Sequence, residues 1–345
     1  MSITTVLVAG ASGFVGRHTL NALQTMPQVR SIALVRNPEK LPAEFTGEVR
    51  QGDIRDQAFL DRALQGIDAL CVCTAWTSAW GHAGESETYL RKPTIELIDA
   101  ALRHGIQRIV FPSSVSARVL RDRQSKAASD AMESLWPHMA NVNRIEDHMR
   151  RLASRDVSMI ALRLGHFVGA HYGLGLLPIL LPRLRSHLVP WVNKGRTTMP
   201  LIAGQDVGQA MARAAIAPAL QGFTTMDVVG KETPSTREVF HFLHTAYGYP
   251  LPHFGVSFSM AYAFARFMET VSKFTPWDPF ITRSVVLLLE ETAVSNERAT
   301  RLLGYAPQVH WQDAIRTQLA EMQRDRVTGL RMARPIPTPL DEATA

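Results

Sequence analysis

The sequence predicts a doubly wound α/β fold, a parallel sheet covered by helices on both faces, followed by a smaller, mainly helical lobe. Three features point there. Through the first 165 residues, short runs rich in β-branched residues alternate with amphipathic stretches. The runs are almost continuously apolar, as strands buried on both faces are. Beyond Gly165 the pattern breaks into segments rich in Gly, Pro and Leu before helical periodicity returns.

The strands expected from these runs are 5–8, 31–35, 68–74, 108–111 and 157–162. Between them, residues 14–23, 57–64, 87–103 and 143–152 place apolar side chains at helical spacing. Repetition of strand, helix and strand builds a parallel sheet through right-handed crossovers. Later, 225–229 reads as one more strand and 235–247 as a helix, with Ser235 as its N-cap and Glu238 in the capping-box position. Residues 257–273 and 279–292 read as two further helices, and the Pro-rich stretch from Arg326 as a loose tail. The expected organisation is a first domain of residues 1–165, to which later segments return, then a lobe of 166–325 and a tail of 326–345.

With 46% hydrophobic and 20% charged residues over 345 positions, the composition is globular. Cys71 and Cys73 lie one residue apart, so neither a disulfide framework nor a thiolate metal site is expected. No metal is expected elsewhere, because the histidines lack ligand spacing with a third acidic partner. The apolar runs at 174–181 and 285–289 fall short of the ~18 residues of a membrane span. The start MSITTVLVAG has no basic region before its apolar stretch, which argues against a signal peptide and for a cytoplasmic, reducing setting. The net charge of +6 is dispersed, with acids interspersed in the basic stretches 118–126 and 144–155, so nucleic acid is not an expected partner.

The first motif with chemical content is VLVAGASGFVGRH. Gly10 permits a tight turn after the strand, Gly13 lets a pyrophosphate approach the backbone, and Gly16 lets helix pack closely on strand. The helix start, through Ser12, Phe14 and Val15, offers free N–H groups and a positive dipole to phosphates. The spacing G-x-x-G-x-x-G resembles the extended branch of the short-chain dehydrogenase/reductase superfamily, with its Rossmann-type fold.

Further segments extend that resemblance over about residues 3–322. GDIRD implies Asp53 and Ile54 as adenine contacts, and DALCVCTA implies that Cys73, Thr74 and Ala75 pass beside the cofactor. HGIQRIVFPSSVSA matches the strand that ends in the family's catalytic Ser/Thr, here Ser114. IAGQDVGQAMARA resembles the family's V-D-D-V-A segment, and PFITRSVVLLLE followed by NERATRLLGYAPQVHWQDAI resembles the C-terminal lobe of 3β-hydroxysteroid dehydrogenase-like members.

The end of the second strand, ALVRNPEK, carries Arg36 where an NAD site would carry an acid; Lys40 and Arg17 lie close in sequence. A guanidinium there pairs with a 2′-phosphate, so NADP is expected over NAD.

The superfamily's Tyr-x-x-x-Lys pair is missing. None of the six tyrosines has a Lys four residues on, and none lies between Ser114 and Arg163. With Asp147 as the acid that follows the pair, Met139 and Asn143 occupy the two positions; with Glu146 as the acid, His138 and Val142 do. This loss resembles the atypical branch of NmrA-like regulators, isoflavone-reductase-like enzymes and triphenylmethane reductases. His138 and His166 are then the candidate proton donors beside Ser114, with Tyr172 further along the same loop. LGLLPILLPRL, the 254–274 run and Trp191 could wall an apolar pocket, or serve as lobe core or a face between copies in a homodimer. The expected activity is hydride transfer to or from an apolar carbonyl or conjugated substrate. A silent NADP sensor and a sugar-nucleotide epimerase or dehydratase are the alternatives.

Overall fold

The computed structural model describes residues 3–122, 135–290 and 293–327. Seven strands form one parallel sheet: β1 Thr4–Ala9, β2 Val29–Val35, β3 Glu48–Gln51, β4 Ala69–Val72, β5 Arg108–Ser114, β6 Ser158–Leu164 and β10 Phe223–Val228. Their order is β10-β6-β5-β4-β1-β2-β3, with every pair parallel. Strand order reverses between β1 and β4, which opens a crevice at their carboxyl ends, the general ligand position of such sheets.

Successive residues of β1 enter opposite layers. Val6 and Val8 pack with α1 (Phe14–Gln24) and the Gly204–Ile216 helix, whereas Leu7 and Ala9 pack on the other side with Leu60, Leu97 and Ile145. This two-sided burial explains the continuous apolar runs. The helix at Gly204–Ile216 comes very close to α1: a Cβ on Gly208 would lie 2.1 Å from the His18 carbonyl oxygen.

Four short strands complete the C-terminal rim and the lobe. β7 (His166–Val168) pairs with β9 (Leu201–Ala203), and β8 (Trp191–Val192) with β11 (Gly255–Val256). The lobe core gathers Leu177, Leu181, Leu184, Phe240, Leu243 and Trp311 from helices Leu176–Arg185, Thr236–Tyr247 and Trp311–Val327. The capping box at Ser235 and Glu238 is formed in both directions.

Several boundaries differ from expectation. The 143–152 helix begins earlier, at Pro137–Leu152, because Pro137 takes the first helical position and Met139, Val142, Ile145 and Met149 make one continuous core stripe. The 279–292 stretch yields a helix only at Arg283–Leu287, started by the Thr282 side chain and preceded by Pro276 and Pro279. The helix Trp311–Val327 runs two residues into the expected tail, whose remainder lies outside the described residues. The apolar run 174–181 and Trp191 fill the lobe core instead of walling a pocket: Trp191 stacks near Phe240 and His241 under the Arg237 guanidinium.

Candidate active site

The Gly-rich turn shows three glycines under three different constraints. Gly10 has φ +77°, and a Cβ there would lie 2.7 Å from the Cys73 carbonyl oxygen. Gly16 is closed by packing, since a Cβ would meet the Gly10 carbonyl oxygen at 2.3 Å. Gly13 is exposed and open: its nearest obstacle is that same oxygen at 3.4 Å. Gly13 is also the N-cap of α1 and provides no side chain to the helix, while no acid occupies the first turn. The amides of Phe14, Val15 and Gly16 are therefore left for an anion at the positive end of the helix. Ser12 is half-buried beside them.

Across the crevice, β4 ends at Val72 and leads through Cys73, Thr74 and Ala75. The Thr74 hydroxyl is buried and has no partner among the described residues. An orphaned buried hydroxyl on the segment that packs against Gly10, at the strand-order reversal, fits a dinucleotide.

At the end of β2, Arg36 is exposed, and its backbone oxygen accepts from Gln51 Nε2 at 3.2 Å. Arg17 donates to the Lys40 carbonyl at 3.2 Å. Asp53 stands opposite with its carboxylate held by Arg55, whose Nη2 lies at 2.7 Å and which also holds the carboxyl below its ordinary range. Ile54 is half-buried against the core layer beside it.

The carboxyl end of β5 separates two adjacent serines. Ser113 is buried and donates to Glu146 at 2.5 Å. Ser114, pointing the other way along the pleat, is half-buried and accepts from the Ser116 N–H at 3.2 Å. It thus caps the start of the following helix, Val115–Asp122, and its hydroxyl hydrogen has no acceptor among the described residues.

Glu146 is fully buried and takes two bonds from Arg163 of β6, at 3.2 Å from Nε and 2.9 Å from Nη2. This Ser113–Glu146–Arg163 cluster ties the Pro137–Leu152 helix to β5 and β6. Glu146 is the inward acid of the helix; Asp147 beside it is only half-buried. Eight and four residues before Glu146 stand His138 and Val142. Val142 is 5% exposed and belongs to the apolar core, so it offers nothing to a ribose. His138 Nδ1 is buried without a partner among the described residues, and burial lowers its pKa to about 4. His166 lies at the start of β7, immediately beyond β6, with its N–H donating to Pro200 and its pKa likewise lowered by burial to about 4. Tyr172 packs among Phe14 and Phe167, and burial pushes its hydroxyl up to about 12. The Glu146–Arg163 pair escaped the sequence reading. The usable signal was an arginine inside an otherwise apolar strand, which requires a buried carboxylate.

Fold and crevice together define a nicotinamide-dinucleotide-dependent enzyme of the oxidoreductase type. The chain belongs to the NAD dependent epimerase/dehydratase family, whose pattern it matches over residues 6–223. It is 28% identical over 328 residues to a 2-alkyl-3-oxoalkanoate reductase of Stenotrophomonas maltophilia, covering 90% of this chain and 97% of that protein. It is 34% identical over 160 residues to a 3 beta-hydroxysteroid dehydrogenase/Delta 5-->4-isomerase of Mycobacterium tuberculosis, covering 44% of this chain and 41% of that one. The fold matches the crystal structure of gox2253 with a TM-score of 0.73 at 24% identity, over 94% of this chain and 99% of the other.

Proposed function

We propose that this protein is an NADP-dependent reductase or dehydrogenase that moves hydride between its cofactor and an apolar carbonyl or conjugated compound. The observation that carries the reading is the Ser114 hydroxyl, capped on its acceptor side and left to donate at the carboxyl end of β5. A hydroxyl arranged in that way polarises a carbonyl oxygen without having to reorient. The bound dinucleotide would supply or accept the hydride. Ser114 would orient the oxygen, and His138, in the helical position that a tyrosine holds in relatives, would donate its ring N–H to the oxygen as charge develops. A neutral imidazole can stabilise that charge as a hydrogen-bond donor, and its low pKa keeps it neutral near pH 7.

Arg36 supports NADP. Its exposed guanidinium lies at the end of β2, the position where the 2′-phosphate of a cofactor would lie. Support for an apolar substrate comes from the likeness to the Stenotrophomonas maltophilia reductase, named for a 3-oxo compound bearing an alkyl group, along nearly its whole length.

The test is NADPH oxidation with 3-oxo acids, ketones, enones and quinones, run on wild type and Ser114→Ala, with NADPH and NADH titrated into both. Turnover should appear with an apolar carbonyl, favour NADPH and fall about 100-fold or more in the variant, while NADPH affinity is kept. Tight NADPH binding with no turnover of any acceptor would turn the reading toward a cofactor sensor.

A further inference from the structure

The helix Phe258–Ser272 carries an apolar face that the fold leaves uncovered. Met260, Phe264 and Phe267 recur at helical spacing with 61%, 51% and 60% of their surfaces exposed. Just beyond the helix end, Phe274 and Trp277 are also exposed, at 84% and 75%. These five make up half of the large apolar residues exposed among the described residues, gathered in a short stretch of chain. Scattered surface apolar residues are ordinary, but a contiguous aromatic stripe marks an interaction surface.

The stripe is held outward by a locked helix. Ser257 caps its start by accepting from the Met260 N–H, and Ala261 and Ala265 are buried on the inner side. Glu269, also inward, accepts from both the backbone N–H and Nε of Arg283 at 2.7 Å. Rotation of the helix to hide the aromatics would break that ion pair.

Charge selects the occupant. Arg266 and Lys273 are exposed on the same segment, and between 253 and 280 the sequence holds only two acids, the paired Glu269 and the exposed Asp278. Exposed cations outnumber the exposed acid two to one on this segment, so a two-fold contact of the patch with its own copy would set a net positive charge against itself. An anionic lipid surface would receive them, while the aromatic rings enter the boundary between headgroups and acyl chains. No helix among the described residues is long and apolar enough to cross a membrane, so contact of this face with lipid would be made at the interface plane.

We propose that the outer face of the 258–272 helix, with the turn through Trp277, is a membrane-interface docking surface that seats the substrate lobe on anionic lipid. The surface stands independently of the substrate's identity, and its test does not read turnover. Full-length protein is sedimented with vesicles of phosphatidylglycerol and phosphatidylcholine in equal parts, and with phosphatidylcholine alone. Wild type should pellet with the anionic vesicles and be released by added salt. The triple variant Phe264→Ser, Phe267→Ser, Trp277→Ser should lose about tenfold or more in partition while keeping its circular dichroism and NADPH affinity. The pair Arg266→Glu, Lys273→Glu should weaken binding to the anionic vesicles only. Failure of wild type to pellet, or equal pelleting of the triple variant, would overturn the proposal. So would a wild-type dimer in sedimentation equilibrium that the triple variant dissociates, since the face would then belong to a second copy.

Discussion

Gly13 and Gly10 stand three residues apart and answer to different constraints. Gly10 is fixed by its own backbone, with a positive φ and the Cys73 carbonyl where a Cβ would go; Gly13 has room for a side chain in the folded protein. Gly13→Asp should therefore leave folding intact and abolish NADPH binding, because the carboxylate would occupy the pyrophosphate position and repel it at the helix start. Gly10→Ala should instead destabilise the protein by about 1–3 kcal/mol through a strained αL alanine, before any further cost of the clash. Thermal unfolding and a NADPH titration on both variants separate the two cases. Equal NADPH affinity in Gly13→Asp and wild type would place the phosphate site elsewhere.

Among the elements, the Pro137–Leu152 helix is positioned by one buried cluster. Glu146 holds Ser113 of β5 and Arg163 of β6 at once, so the face that carries His138 is set against the carboxyl ends of both strands. Glu146→Gln should destabilise the protein by up to about 3–5 kcal/mol, because it removes the carboxylate bonded to the buried Arg163 guanidinium and leaves the Asp227 charge of β10 as counter-charge. Urea unfolding of the purified variant checks the magnitude; a change below about 1 kcal/mol would mean that the cluster contributes little to the position of the helix. The double variant Glu146→Gln, Arg163→Met should recover part of the loss, since removal of both partners leaves no unpaired charge.

For the whole molecule, three histidines buried in different places respond to acid together. Burial lowers His18, His138 and His166 to about 4 from an ordinary value near 6.5, with His18 also disfavoured by the nearby His171. The unfolded chain then binds more protons than the folded one between these values. Stability is fully present above about 6.5 and is lost as the pH falls toward 4, with a slope near 1.4 kcal/mol per pH unit for each group that titrates only on unfolding. Urea midpoints taken at pH about 7 and about 5 should show the loss, and His18→Gln should reduce it by about a third. A midpoint that stays flat across that range would show that these histidines remain accessible to protons in the folded state.

How much of this was legible in the sequence depends on the range of the interaction. The strands of the sheet, the glycine turn and the capping box at Ser235 rest on local backbone demands and on continuous burial, which a linear pattern records. Strand β3 was not, because Glu48–Gln51 is an edge strand whose one apolar residue, Val49, faces solvent among polar neighbours. The short pairs of β7 with β9 and of β8 with β11 join segments far apart in the chain and leave no periodicity to read. Ser114 followed from motif and position, but its separation from Ser113 needed the pleat and the buried carboxylate that claims one hydroxyl and not the other. The sequence by itself also left two registers for the active-site helix, Glu146 or Asp147 as its anchor, since one-residue slips look alike in a list of letters. The tertiary structure adds what the letters lack: a helix buries one stripe, and here it turns Glu146 fully inward onto Arg163 of β6 while Asp147 stays half-buried.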